Sequence, residues 1–325
     1  MSDEFRADPE VLAGLVRQAL PGTRSVAIER ASPGRVAVVY RATADGTRYY
    51  LRLAEEAGED LATDALVLER LRALDVRVPE VVATAAATAA FPRSWLVMTE
   101  VPGRSLADGG TDDEARLSAR AAGRDAAVIN SLPVSGFGWV NRDGSVQLSA
   151  ELPSYRQFVV AYLPAPWPGR LRDLFDLGQL DAMSELAAAE QARPLHSGKL
   201  AHGDLDVTHV YSHAGRYSGI IDFGEMRGAD PHFDLGHFLL HDGENRPVAL
   251  FGSFLAGYCE VSPLSDSDCQ AIRVSAVLLG LRQLSRWLSP ERGYSLSTPL
   301  VRRRVAELSN LIDGRPAHPA LRAGA

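Results

Sequence analysis

AHGDLDVTHV, residues 201–210, sets an aspartate, Asp204, between two histidines, His202 and His209. All three side chains can hold a metal ion or move a proton. A second dense stretch, IIDFGEMRGADPHFDL (220–235), follows after a short gap. Seven of the eight histidines lie between 196 and 241, among Asp204, Asp206, Asp222, Glu225, Asp230 and Asp234, with Asp242 just beyond. The chemistry of the chain is concentrated in this window.

Two chemistries use such a set. A metal hydrolase gathers histidines and acids around one ion. Phosphoryl transfer needs a carboxylate near the attacking hydroxyl, ligands for the nucleotide's Mg²⁺, a cation on the phosphates and a backbone cradle. The spacing suits the second. Asp204 falls in a loop and residue 209 follows as a ligand position. HVYSH (209–213) and YSGIIDF (217–223) then read as a short β pair that returns Asp222 beside residue 209. Asp204 is left to face the substrate.

Working outward, VLAGLVRQALPG (11–22) reads as an amphipathic helix closed by Pro and Gly. SVAIER, RVAVVYRAT and RYYLRLA (25–54) are three β-rich runs, split by a Ser-Pro-Gly turn and an Asp-Gly turn. DLATDALVLERLRAL (60–74) has helical spacing, and VPEVVAT (78–84) and SWLVMTE (94–100) read as two more strands. VPGRSL (101–106) reads as a linker. The remainder is expected to be mostly helical, with FDLGHFLL (233–240) a packed helix and 150–176 irregular or in short helices.

HGDLDVTH followed by IIDFG and ADPHFDL resembles the aminoglycoside phosphotransferase family of the protein-kinase-like superfamily. Its pattern is H-G-D-x-x-x-x-N, then I-D-F-G, then D-P-x-x-D-L. SWLVMTEVPGRSL is similar to that family's strand, hinge and linker between lobes, and GFGWV (136–140) to a segment of some members. The resemblance implies an α+β, bilobal protein-kinase-like fold: a small antiparallel β-sheet lobe, 1–100, that binds nucleotide, and a mainly helical catalytic and acceptor-binding lobe, 101–325. It implies Asp204 as the group on the substrate hydroxyl, and His209 and Asp222 as Mg²⁺ ligands. His202, Asp230 and Asp234 would support the catalytic loop and cap the following helix. Ser32, Gly34 and Arg35 would lie over the phosphates of ATP or GTP. Met98, Thr99, Glu100 and Val101 would meet the base.

Three letters depart from the pattern. His209 stands where Asn is usual, and neutral imidazole can ligate in its place. Lys199 is the only lysine in the chain, so the phosphate-binding lysine of strand 3 is absent and Arg52 takes its position. Arginine can grip phosphates bidentately. The glutamate expected to pair with that cation becomes Asp64, and a longer cation with a shorter acid preserves reach.

Composition limits the alternatives. The net charge of −7 argues against nucleic acid as partner. The acidic N-terminus and the lack of a bilayer-length apolar run point to a cytoplasmic chain without membrane association. Cys259 and Cys269 make no disulfide framework or zinc motif and are expected to be buried thiols. The family resemblance implies a small-molecule kinase acting on a hydroxyl of an antibiotic of aminoglycoside, macrolide, nucleoside or peptide type, conferring resistance. A sugar or amino-alcohol kinase is the alternative. A pseudokinase, or a metal phosphohydrolase built on His241-Asp242, are rivals from other classes.

Overall fold

Asp8 accepts a hydrogen bond from the Glu10 N–H at 2.7 Å, and Pro9 occupies the first turn, where a missing N–H costs nothing. Helix α1 (Pro9–Ala19) starts there. Its Leu12, Leu15 and Val16 bury against Ala42, Ala44, Leu51, Leu53, Trp95 and Val97. Each such aliphatic side chain contributes about 2 kcal/mol of burial. The partners belong to a five-stranded antiparallel sheet in the order β1 (Val26–Arg30), β2 (Val38–Ala44), β3 (Thr47–Leu53), β5 (Trp95–Thr99), β4 (Val81–Ala85). Asp45 and Gly46 both take positive φ, 46° and 86°, and make the tight turn between β2 and β3.

Strand alternation decides where the cation goes. Leu51 and Leu53 serve the core beneath α1, so Arg52 points to the opposite face. There, helix α2 (Ala62–Ala73) carries Asp64.

The computed structural model describes residues 7–31, 38–163, 171–289 and 292–313. Ser32, Gly34 and Arg35, expected over the phosphates, lie outside the described residues. Met1–Pro102, Asn141–Gln147 and Gly219–Gly224 form one compact unit, and Gly103–Val140, Leu148–Ser218 and Glu225–Ala325 the other.

The second unit carries helices α3 (Asp112–Ile129), α4 (Tyr155–Tyr162), α5 (Leu177–Ala192), α6 (Phe233–His241), α7 (Phe251–Val261), α8 (Asp266–Trp287) and α9 (Pro299–Ile312). Thr111 and Glu114 close a reciprocal capping box at the start of α3. Helices α3 and α7 touch backbone to backbone. A Cβ at Gly123 would collide with the Phe254 carbonyl, and one at Gly257 with the Arg120 carbonyl. Among the described residues no helix is long and apolar enough to cross a membrane. Cys259 and Cys269 are unpaired thiols, half-buried rather than buried.

Strand content beyond residue 100 exceeds the expected single β pair. A five-stranded antiparallel sheet runs β7 (Pro133–Val134), β10 (Gly198–Ala201), β13 (Arg227–Ala229), β8 (Phe137–Val140), β9 (Ala150–Leu152). A three-stranded sheet runs β12 (Arg216–Ile220), β11 (Val210–His213), β6 (Arg104–Ser105), so residues 104–105, read as linker, are a strand. These strands span two to five residues, too few for alternation to register in the sequence. One register matters most. Ala201 pairs with Arg227, so β10 ends at the residue before His202.

Candidate active site

The loop after β10 is pinned by one buried carboxylate. Asp234, in the first turn of α6, accepts the His202 N–H at 2.8 Å, the Gly203 N–H at 3.0 Å and the Asn130 side-chain amide at 2.7 Å. Gly203 has φ +90°, and a Cβ there would strike the Glu225 carbonyl, so glycine is required by both conformation and space. The His202 ring is buried, and its Nδ1 accepts the Asp204 N–H at 3.3 Å. Asp230 serves the helix entrance instead. It accepts the backbone and ring N–H of His232, at 2.7 and 2.8 Å, and pairs with Arg193.

Asp204 keeps 47% of its side chain exposed, with Oδ1 3.2 Å from His237 Nε2. His237 is buried, one turn after Asp234 on α6, and its Nδ1 donates to the Leu205 carbonyl at 3.1 Å. Both ring nitrogens therefore face acceptors, which a doubly protonated ring satisfies. Burial works against that charge, but Asp204 prevails and raises the His237 pKa. Burial likewise pushes the Asp204 carboxyl up. The His237 hydrogen bond and charge, with smaller help from His209 and His202, outweigh it and hold Asp204 far below the usual carboxylate range.

The network continues inward. The His241 ring stacks on His237, centroids 4.5 Å apart. Its Nδ1 donates to Glu244 Oε2 at 2.7 Å and its Nε2 accepts from Gln283 Nε2 at 2.8 Å, the pattern of a neutral ring. Burial, then the His237 charge, lower the His241 pKa. Glu244 also receives Arg304 at 3.0 Å. Burial raises the Glu244 carboxyl, but the bond from His241 and the Arg304 charge pull it down from 4.5 to about 2. A carboxyl depressed on folding contributes stability above its unfolded pKa and loses it as pH falls toward the folded value. Thermal unfolding measured from about pH 6 to about pH 2 should show wild type losing up to about 1.4 kcal/mol per pH unit more than Glu244→Gln. Parallel curves would mean the pairing contributes nothing.

His209 faces the same loop. Its Nδ1 donates to the Asp204 carbonyl at 2.7 Å, which makes Nε2 the lone-pair nitrogen of the neutral ring. Asp206 accepts both the N–H and the hydroxyl of Thr208, tightening the turn.

In the first unit, Arg52 Nη1 meets Asp64 Oδ1 at 3.0 Å, with only 7% and 2% of the side chains exposed. Arg142 shares the same acid, with Nε 2.8 Å from Asp64 Oδ2 and Nη2 2.8 Å from the Gly224 carbonyl. Burial opposes the Arg142 charge, and Asp64 more than restores it. Asp222 adopts a left-handed backbone, φ 64°, and its Oδ1 accepts the Gly224 N–H at 3.2 Å. A Cβ at Gly224 would sit 3.0 Å from Asp222 Oδ1 and 3.5 Å from Arg52 Nη2. The acid and the guanidinium thus converge on a residue without a side chain. Lys199, in the second unit, donates to the Ser131 carbonyl at 3.2 Å. At the end of β5, the Thr99 N–H is spent on the Glu80 carbonyl at 2.9 Å, and Glu100 pairs with Arg48 at 2.9 Å. Met98 is half-buried and Val101 buried.

Sequence reasoning missed His237 and Arg142. The first had a signal. If Asp234 bonds the catalytic loop, the residue three positions on shares its helix face and meets the next part of that loop. Arg142 had none, since it comes from an isolated segment. The His241-Asp242 dipeptide is committed elsewhere: Asp242 accepts the N–H groups of Leu250 and Phe251 at the start of α7. Among the described residues no three His, Cys, Asp or Glu side chains gather to hold a metal on their own.

Comparison with known proteins places the chain. The family model of the "Phosphotransferase enzyme family", APH, matches residues 27–269. No curated protein sequence matches. A thermostable mutant of aminoglycoside phosphotransferase APH(4)-Ia in its apo form superposes with a TM-score of 0.64 at 17% identity, over 93% of this chain and 98% of that one. A complex of such a mutant with ADP and hygromycin B gives 0.62 at 17%, over 96% and 99%. A candidate fructosamine-3-kinase from Thermobifida fusca YX-ER1 gives 0.58 at 19%, over 96% and 99%. At these identities the likeness carries the kinase-like fold alone. The family match spans well over half of the 325 residues, and the chain belongs to the APH phosphotransferase enzyme family and is a phosphotransferase.

Proposed function

We propose that this chain transfers the γ-phosphoryl group of ATP or GTP to a hydroxyl of a small molecule. The bond from γ-phosphorus to the β-bridging oxygen breaks and one to the acceptor oxygen forms. The hydroxyl proton is received at Asp204 and passes to solvent, leaving a nucleoside diphosphate and a phosphate monoester. One observation carries this reading: a half-exposed carboxylate, Asp204, held by His237 on a loop that Asp234 fixes. So acidic a group is a weak base. Its leverage is orientation of the hydroxyl and electrostatic support, which suits a transfer that asks for little proton abstraction early on.

Asp222 would be the principal Mg²⁺ ligand, with His209 Nε2 a second; the donor chemistry fits a hard ion completed by phosphate oxygens. Mg²⁺ would supply charge neutralisation on the phosphates. Arg52, fixed by Asp64, would be the phosphate cation, and the backbone of residues 99–101, with Met98, the seat of the base. The Thr99 N–H is spent on Glu80, so Thr99 would offer the base its carbonyl and not its N–H.

His209→Asn should keep most of its turnover, because Asn ligates the same ion through oxygen. Turnover titrated with Mg²⁺ and with Mn²⁺, which imidazole suits better, should show the variant shifted toward Mg²⁺. A well-folded but inactive variant would remove His209 from the ligand set.

Nucleotide consumption across hydroxylated antibiotics and metabolites tests the function itself. Acceptor-dependent consumption establishes the kinase and its acceptor class. Binding of MgATP with no transfer to any acceptor would indicate a pseudokinase.

A further inference from the structure

The register that pairs Ala201 with Arg227, and Arg227 with Trp139, sets a guanidinium at the strand end that launches the Asp204 loop. Arg227 is buried, and its Cζ lies 3.7 Å from the Trp139 ring centroid and 6.0 Å from that of Tyr162. Arg282, on α8, borders the same tyrosine. Its Cζ is 4.3 Å from the Tyr162 ring centroid, and Nη1 donates to the Tyr162 carbonyl at 3.2 Å. Arg286 follows one helical turn later and is exposed.

Glu225 takes Arg227 at 2.8 Å, yet among the described residues no carboxylate pairs with Arg282 or Arg286. Arg227 Nε is buried with no acceptor among them. Burial, then the charges of Arg227 and Arg286, press the Arg282 guanidinium below its usual range. A chain of net charge −7 thus concentrates positive charge in one place, which bulk composition does not account for.

Two sets of contacts connect this place to the loop that carries Asp204. The Glu225 backbone lies against Gly203, the residue before Asp204. Gln283, next to Arg282, binds His241, whose ring stacks on the His237 that holds Asp204. A cationic acceptor presented to Asp204 would meet these guanidiniums as repulsion, whereas an anion supplies the missing countercharge. Among the described residues one carboxylate, Glu225, pairs within a group of three guanidiniums, which leaves charge-assisted donors for a further anion.

We propose that the acceptor carries a carboxylate or phosphate group as well as the hydroxyl to be phosphorylated, and that Arg282 and Arg286 bind that anion beside Tyr162. Polycationic antibiotics are then poor acceptors. The proposal deepens the kinase reading and rests on it.

The test is calorimetry on the full chain saturated with MgAMP-PNP, so that nucleotide phosphate sites are filled. The probes are gluconate, inorganic phosphate, sorbitol and glucosamine. Gluconate or phosphate should bind and sorbitol and glucosamine should not. Arg282→Gln should weaken the anion by about tenfold, the worth of one charge-assisted bond. Arg286→Gln, at an exposed position, repeats the test where Arg282→Gln fails to fold. Binding of gluconate alone assigns a carboxylate, and of phosphate alone a phosphate. Equal response to gluconate, sorbitol and glucosamine, or anion binding unchanged in both variants, overturns the proposal. Failure of wild type to bind MgAMP-PNP overturns instead the kinase reading beneath it.

Discussion

Asp204→Asn is expected to lower kcat by about 10³, the middle of the range for a positioned acid–base group. The nucleotide dissociation constant should barely move. The substitution keeps size and shape, and the loop around it is held through backbone. Asp234 binds the N–H groups of His202 and Gly203, and neither bond involves the Asp204 side chain. The amide lacks the charge that His237 holds in place at 3.2 Å, and with it the field that aligns the hydroxyl. Steady-state turnover with the best acceptor, beside nucleotide calorimetry on the same sample, separates the two effects. Turnover equal to wild type would end the role given to Asp204. A matching loss of nucleotide affinity would point to a collapsed loop instead.

How much of this was legible in the sequence depends on how far apart the partners lie in the chain. The first five strands announced themselves through alternation and turn chemistry, and Arg52 and Asp64 could be matched by position because each sits on a long, periodic element. The loop 202–209 was legible because its chemistry is local, with His202, Asp204 and His209 within one stretch. The short strands from Arg104 to Ala229 were not, since two to five residues carry no period. His237 lies in FDLGHFLL, expected as a packed helix, and its ring is buried as such yet reaches Asp204. That contact depends on which way α6 faces, which the bonds of Asp234 and of His237 itself fix. Arg142 comes from residues 141–147, which fold with the first unit although the chain on either side belongs to the second. No pattern in the sequence marks such an excursion.

The second large effect follows from that excursion. Asp64 lies between two buried guanidiniums, with Arg52 at 3.0 Å and Arg142 at 2.8 Å. Glu55 and Glu59 stand farther off, at 4.0 and 3.7 Å. Removing the acid leaves two cations facing each other without water to screen them, a change that costs about 3–5 kcal/mol when a buried pair is broken from one side. Asp64→Ala is therefore expected to lower the unfolding midpoint by about 10 °C and to weaken nucleotide binding as Arg52 loses its anchor. Asp113→Asn is the control, because the Asp113–Arg116 pair is exposed, 92% on the acid, and water already screens it. Thermal unfolding of both variants, with and without MgAMP-PNP, measures the contrast. Should the two variants melt together, the buried acid does not hold the arginines. Should Asp64→Ala melt early yet bind nucleotide as wild type does, Arg52 is a structural cation and the phosphates are held by another residue. Should both properties fall together, one carboxylate ties the stability of the first unit to its grip on the nucleotide.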